Sequence, residues 1–436
     1  MGEAGPSVLV LHRMGNPRLV PAFLPGHVRS FERSWPDGAC LFHDVSLPLP
    51  DWVRFLPFEA VFLDVTLLAT RWMGPAVHGL VRDSYSFVRD LPALRVAFPQ
   101  DEYDCSGILD DWMCDWKVDV VVSVIDGHRE VLYPRFGKVG EIETGFTGYV
   151  DEALIDRAWP PSHRRPIDIG YRAKRLPPYF GRLGELKWTI GRDTIAMCEG
   201  LGLRLDIAVG DGAALPGGHW LDFVGSCRAM LGSPSGSSIL DRDGSIQRRV
   251  RAFVSRHPHA TFEEVEAACF PGKDGERSFT AISPRSLEAA LAGTAQLLAG
   301  TGYSGVMDPG VHYFQLDPGA ANIRDAVELL RDQPALERMA SRCREAVLAH
   351  PGLRISARDS RLRAMVIEHR HRNRLEPDVR AVLAGVERYR SEMDGNYRAL
   401  WRRQAVEARI RRWLDRAPQS MFGRIRRSIA HLRGRN

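Results

Sequence analysis

The apolar positions of the chain gather first into five short, nearly unbroken runs: "SVLVLH" (7–12), "ACLFHDV" (39–45), "FEAVFLDVTLL" (58–68), "LRVAF" (94–98) and "VDVVVSVI" (118–125). Runs of that length without polar alternation suit strands covered on both faces, and they predict a parallel α/β sheet. The stretch "RAWPPSHRRP" (157–166), rich in Pro and Arg, reads as a linker. Behind it comes a second series: "IDIGYRA" (167–173), a helical stretch from about Gly181 to Leu201, "LRLDIAV" (203–209), and a helix expected near "HWLDFVGSCRAM" (219–230). "AISPRSLEAALAGTAQLLAG" (281–300) follows as turn, helix, glycine stop and strand, and then 322–350, where Ile323, Ala326, Leu329 and Leu330 recur at helical spacing.

Two successive α/β series predict two Rossmann-like domains facing a cleft, at 1–157 and 165–350. Residues 355–436 lack strand-like runs and predict a helical extension, while the Gly-, Ser- and Asp-rich segment between Ser233 and Gly275 reads as loop or insertion. The length, 436 residues, agrees with more than one core. An apolar share of 44% with 26% charged residues is that of an ordinary globular protein, so disorder is not the expected reading.

Charge changes the picture in one place only. Residues 401–436 carry eleven Arg against Glu407 and Asp415, a net +9, which leaves the preceding 400 residues at −4. The body is therefore not expected to bind nucleic acid. In the tail, Phe422, Ile425, Ile429 and Leu432 share one helical face among arginines. That pattern fits packing against the acidic body or peripheral contact of 401–436 with an anionic membrane. Seven scattered cysteines without a Cys-x-x-Cys pair, no signal-like start and no spanning run of apolar residues point to the cytoplasm.

The candidate chemistry centres on the opening of the 284–292 helix. Ser283 is a suitable N-cap and Pro284 a suitable first helical residue, and Gly293 ends the element. Arg285 and Glu288, three apart, lie on one side of a helix whose positive end can receive a phosphate, with a carboxylate one turn in that can take a ribose diol. A plain surface ion pair fits the same spacing.

"SPRSLEAALAGTAQLL" resembles the donor-nucleotide motif of GT-B-fold glycosyltransferases, matched at Glu288, Ala289 and Gly293. The sequence after it, as far as about residue 345, is similar to the end of the donor domain in spore-coat-type, family 1 and 4-like members. The resemblance implies that Glu288 binds the ribose of a nucleoside diphosphate sugar and that Ser283 and Arg285 lie beside the diphosphate. Related enzymes carry an Arg after the first strand of this domain and a Lys in the next helix, positions that Arg172 and Lys187 resemble. Retaining members commonly have a second Glu where this chain has Thr280.

On the amino-terminal side, His12 stands at a strand end and Gly15 in the following turn, where a backbone can approach a ligand. Asp101, Glu102 and Asp104 form the densest polar cluster at a strand end; Asp101 is the candidate base for an acceptor hydroxyl, with Glu102 on the acceptor side. Asp241 and Asp243 of "DRDG" fit either a divalent-metal pair or a turn. The expected activity is metal-independent glycosyl transfer from a nucleotide sugar to an unidentified acceptor, without a bound cofactor. A metal-dependent GT-A-like transferase and a non-catalytic carbohydrate- or nucleotide-binding protein on the same fold remain the alternatives.

Overall fold

The computed structural model describes residues 5–416 apart from 21–23, 25–27, 211, 212, 214 and 216–218. The amphipathic face at Phe422 to Leu432 lies outside the described residues. Strands β1 (Ser7–His12), β2 (Ala39–Asp44), β3 (Ala60–Leu63), β4 (Leu94–Ala97), β5 (Val120–Ser123) and β6 (Glu141–Thr144) form one parallel sheet in the order β2-β1-β3-β4-β5-β6. The five apolar runs are its first five strands. β6, "EIET", is a partly exposed edge strand with no apolar run to announce it.

A second parallel sheet holds β7 (Ile167–Ala173), β8 (Leu205–Val209), β9 (Cys227–Gly232), β12 (Ala295–Ala299) and β13 (Phe314–Leu316) in the order β13-β12-β9-β7-β8. β10 (Ser235–Ser237) and β11 (Phe279–Ala281) make a separate antiparallel pair. This is the predicted α/β organisation of two Rossmann-like sheets. Each order reverses once, beside β1 in the first sheet and beside β7 in the second, and such reversals open a crevice at the strands' carboxyl ends.

The helices fill in around this. Besides Pro75–Ser84, Ser106–Asp115 and shorter turns in the first region, they include α1 (Ser30–Ser34), α2 (Gly181–Met197), α3 (His219–Ser226), α4 (Ser245–Arg256), α5 (Phe262–Cys269), α6 (Pro284–Leu291), α7 (Ile323–Arg331), α8 (Gln333–Ala349), α9 (Ile355–Asn373) and α10 (Val379–Arg416). Two expectations are corrected. The helix near 219–230 stops at Ser226, and Cys227 begins β9, because Cys227, Ala229, Met230 and Leu231 are buried as strand residues. The segment 233–275, expected as loop or insertion, is not all loop: α4 and α5 bury Ile246, Val250, Val265 and Cys269 against one another, and Thr261 with Glu264 closes a capping box.

Residues 355–400, expected as an extension of their own, are built into the first sheet. Side chains alternate along β1, so Val8 and Val10 face one way and Leu9 and Leu11 the other. α9 covers the first face with Leu362, Met365 and Val366, and α10 covers the second with Val382, Val386, Tyr389 and Met393. Each buried aliphatic side chain contributes about 1.5–3 kcal/mol by leaving water. α9 is also pinned by charge: Arg370 donates to Glu59, whose other oxygen accepts from the Ser7 amide at 2.9 Å and hydroxyl at 3.1 Å. No helix among the described residues is long and apolar enough to cross a membrane.

Glu59 and Arg370 are 2% and 5% exposed, so truncating the carboxylate takes away the charge that balances a buried guanidinium. Glu59→Ala is expected to cost about 3–5 kcal/mol, read as a lowered urea midpoint with an unchanged m-value.

Candidate functional site

The reversal point of the second sheet gathers most of the predicted residues. At the start of α6, Ser283 has the extended backbone of an N-cap and Pro284 follows it, but the serine hydroxyl makes no capping bond. Leu287, Ala290 and Leu291 face the core, which turns Arg285 and Glu288 outward toward α3. Gly293 ends the element with φ +59°, a conformation that a Cβ would strain.

Glu288 Oε2 accepts the Trp220 indole N–H at 2.6 Å. Burial raises the Glu288 pKa, opposed by that bond and by Arg285. The Arg285 guanidinium lies 5.1 Å from the Trp220 ring centre and donates to the carbonyl of Arg172. Arg172 in turn stacks 4.1 Å over Phe223 and donates to the Asp206 carboxylate and carbonyl, each at 2.8 Å. Two cations, two carboxylates and two aromatic rings thus form one continuous cluster. Trp220 and Phe223 were not singled out from sequence, although "HWLDF" places two aromatics three apart on a helix.

Lys187 of α2 feels the charges of Arg285 in this cluster and of Asp101 after β4. Burial lowers its pKa, with Arg285 acting in the same direction and Asp101 opposing both. Its ammonium makes no hydrogen bond or ion pair among the described residues. Asp101 adopts φ +47° in the loop after β4, and its Oδ1 accepts from the Tyr103 hydroxyl at 2.6 Å. That loop is held by a residue that sequence reasoning missed. Buried Arg71 donates to the carbonyls of Gln100 (2.8 Å), Asp101 (3.0 Å) and Asp104 (3.0 Å), so one guanidinium fixes three carbonyls of a single loop.

Glu102 is not on the cleft. It is fully buried within the first region and accepts from Ser123 Oγ (3.1 Å), the Val124 amide (2.8 Å) and the Tyr133 hydroxyl. The alternating direction of neighbouring side chains sends it inward while Asp101 stays at the surface. His12 and Gly15 occupy the first sheet's reversal point. His12 Nδ1 accepts the Met14 amide at 3.2 Å and lies 3.8 Å from Asp44 Oδ2; burial depresses its pKa despite Asp44 and Asp64. Gly15, at φ +69°, donates its amide to the same Asp44 oxygen at 2.6 Å.

Thr280 lies in β11, where its carbonyl accepts from the Asp126 amide at 3.1 Å and its hydroxyl leaves no room for a side chain at Gly302. Asp241 and Asp243 serve the start of α4, accepting from the amides of Gln247 (2.9 Å) and Ser245 (3.0 Å). That is the geometry of the turn reading of "DRDG".

The chain matches no protein-family model and no curated protein. Among solved structures it is similar to Anabaena HepE in complex with UDP, at TM-score 0.44 and 10% identity over 83% of this chain and 100% of that one. It is also similar to sucrose-phosphate synthase from Thermosynechococcus elongatus, at TM-score 0.42 and 11% identity over 83% and 99% of the two chains. A DNA-modifying β-glucosyltransferase, studied with and without uridine diphosphoglucose, gives TM-score 0.44 and 11% identity over 86% and 99%.

Near the site, burial and the charges of Asp101 and Asp241 push Asp104 up to about 7, with Arg71 opposing. An unfolded aspartate titrates near ~3.9, so the folded protein holds this proton more tightly and loses that contribution as pH rises through about 7. Asp104→Asn should therefore melt higher than wild type at pH 8, and the gap should close toward pH 4. Thermal melts of both proteins across that range measure it.

Proposed function

We propose that the protein is a glycosyltransferase that moves a sugar from a nucleoside diphosphate donor to an acceptor hydroxyl. The observation that carries this reading is the meeting of Glu288, Arg285 and Arg172 at the second sheet's reversal point, with Lys187 feeling the charges of Arg285 and of Asp101 of the first region. Glu288 keeps Oε1 for a ribose diol, since Trp220 takes only Oε2. Arg285, whose guanidinium is exposed, and the half-buried Lys187 supply positive charge to the diphosphate.

In this reading the bond between the anomeric carbon and the phosphate oxygen breaks, and the diphosphate leaves with its electron pair. Lys187 and Arg285, already in place, stabilise the charge that develops there, so no metal is required. The acceptor oxygen forms the new bond to the anomeric carbon, and its proton passes to Asp101. Ser283, whose hydroxyl is not used in capping, is free to contact a phosphate oxygen. Arg172 acts by holding Arg285 and is itself tied to Asp206. The turn geometry of Asp241 and Asp243 favours this over a metal-dependent transferase.

A thermal-shift screen with UDP-glucose, UDP-N-acetylglucosamine, GDP-mannose and ADP-glucose tests the reading, because a ligand of the folded state raises the melting temperature. No shift with any of the four would count against it. Glu288→Ala should weaken binding of the matching nucleoside diphosphate by about 10-fold or more at a wild-type melting temperature, measured by calorimetry. Lys187→Ala should lower kcat by roughly 100-fold while leaving that affinity within a few-fold. Binding without donor turnover would instead assign a carbohydrate- or nucleotide-binding protein.

A further inference from the structure

The turn after β1 is held from an unexpected quarter. Nearly 390 residues further along the chain, the last third of α10 passes over Gly15 and Asn16. Gln404 Oε1 accepts the Asn16 amide at 2.7 Å, the Asn16 side chain donates to the Trp401 carbonyl at 3.1 Å, and the Trp401 indole donates to the Gly15 carbonyl at 3.1 Å. On its other side, Gly15 donates to Asp44 Oδ2 at 2.6 Å, and the Asp44 amide donates to the hydroxyl of Tyr397, one helical turn before Trp401.

The two residues of the turn are thus fixed on both sides, by α10 and by the end of β2. The fit is close: a Cβ on Gly15 would stand 2.7 Å from the Gln404 side-chain amide. Glycine is needed here both for its positive φ and for the space that Gln404 fills. Because Asp44 Oδ2 both receives Gly15 and stands 3.8 Å from His12, the turn, the carboxylate and the imidazole move as one unit.

We propose that Gln404 and Trp401 are positioning residues for the acceptor side of the reaction, fixing the Gly15–Asn16 turn and through Asp44 the place of His12. The inference rests on the glycosyltransferase reading and names the part of the chain that shapes the acceptor side. A helix that only covered the sheet would need its apolar contacts, which Val382 to Met393 already make about two to six turns earlier. The polar contacts at 401 and 404 are directed instead at backbone groups of one turn.

The test uses the full chain and the donor that gives the largest shift among the four named above, with water as acceptor. Gln404→Ala should lower kcat for donor hydrolysis by about 10-fold while the donor KM stays unchanged, since the donor contacts lie in the second region. Gln404→Glu, which keeps an acceptor oxygen for the Asn16 amide, should restore most of the rate, and Trp401→Phe should resemble Gln404→Ala. The His12 imidazole signal, identified by its loss in His12→Gln, should titrate closer to an ordinary histidine in Gln404→Ala, as the turn loosens and water reaches a ring that now faces Asp44, Asp64, Arg29 and His43.

An unchanged rate and an unchanged His12 titration would overturn the positioning role. A fall in melting temperature with parallel loss of kcat and KM, not rescued by Gln404→Glu, would overturn it in favour of plain structural support. If the wild-type protein neither binds nor hydrolyses any of the four donors, the glycosyltransferase reading itself fails and takes the acceptor role of the turn with it.

Discussion

A parallel sheet with two apolar faces cannot leave either one bare, and this requirement organises the whole chain. β1 alone presents Val8 and Val10 to one side and Leu9 and Leu11 to the other, and the neighbouring strands repeat the pattern. The amino-terminal segment supplies only part of the cover. The chain therefore finishes its second sheet and comes back, laying α9 on one face and α10 on the other. The buried Glu59–Arg370 pair fixes where α9 lands, and a charge buried in this way tolerates little displacement. Completion of the first sheet thus waits on residues that follow the whole of the second.

The same principle of covered faces places the chemistry. Interior positions are spoken for by aliphatic packing, so polar groups accumulate at the carboxyl ends of the strands, where each sheet order reverses. There the cations are not neutralised one by one. Arg172 is paired with Asp206, whereas Arg285 rests on an aromatic face and a carbonyl, and Lys187 feels Asp101 and Arg285 without touching a partner among the described residues. A lysine held this way carries a charge that its surroundings only partly compensate.

Much of this could be read from the sequence, and the limits have physical causes. Five strands were legible because burial on both faces leaves unbroken apolar runs, and α6 because Ser, Pro and Gly punctuate it at both ends. β6 was not, since an edge strand needs no such run. α4 and α5 were hidden by the Gly- and Ser-rich segments on either side, although Ile246 and Val250 hold helical spacing. Within the site, Glu288 and Arg285 were found by type and spacing and Arg172 by resemblance, and the structure brings the three into one cluster. Glu102 was misplaced because adjacent residues in a loop can point to opposite sides. Arg71, Trp220 and Gln404 act on groups distant in sequence, and nothing local marks such a contact.

The pairing of β11 carries a mechanical implication. Phe279 and Ala281 lie in the hydrophobic core of the first sheet, with Phe279 stacked against Tyr103 and His128, and Asp241 exchanges backbone bonds with Tyr103 and Ser106. The covalent crossover at 157–166 is anchored too, since Arg165 donates to the carbonyls of Pro160, Cys227 and Ala292. The two halves are stitched at several separate places along one seam. Relative motion of the two halves therefore has to strain the β11 contacts and the Asp241 backbone bonds together rather than one at a time.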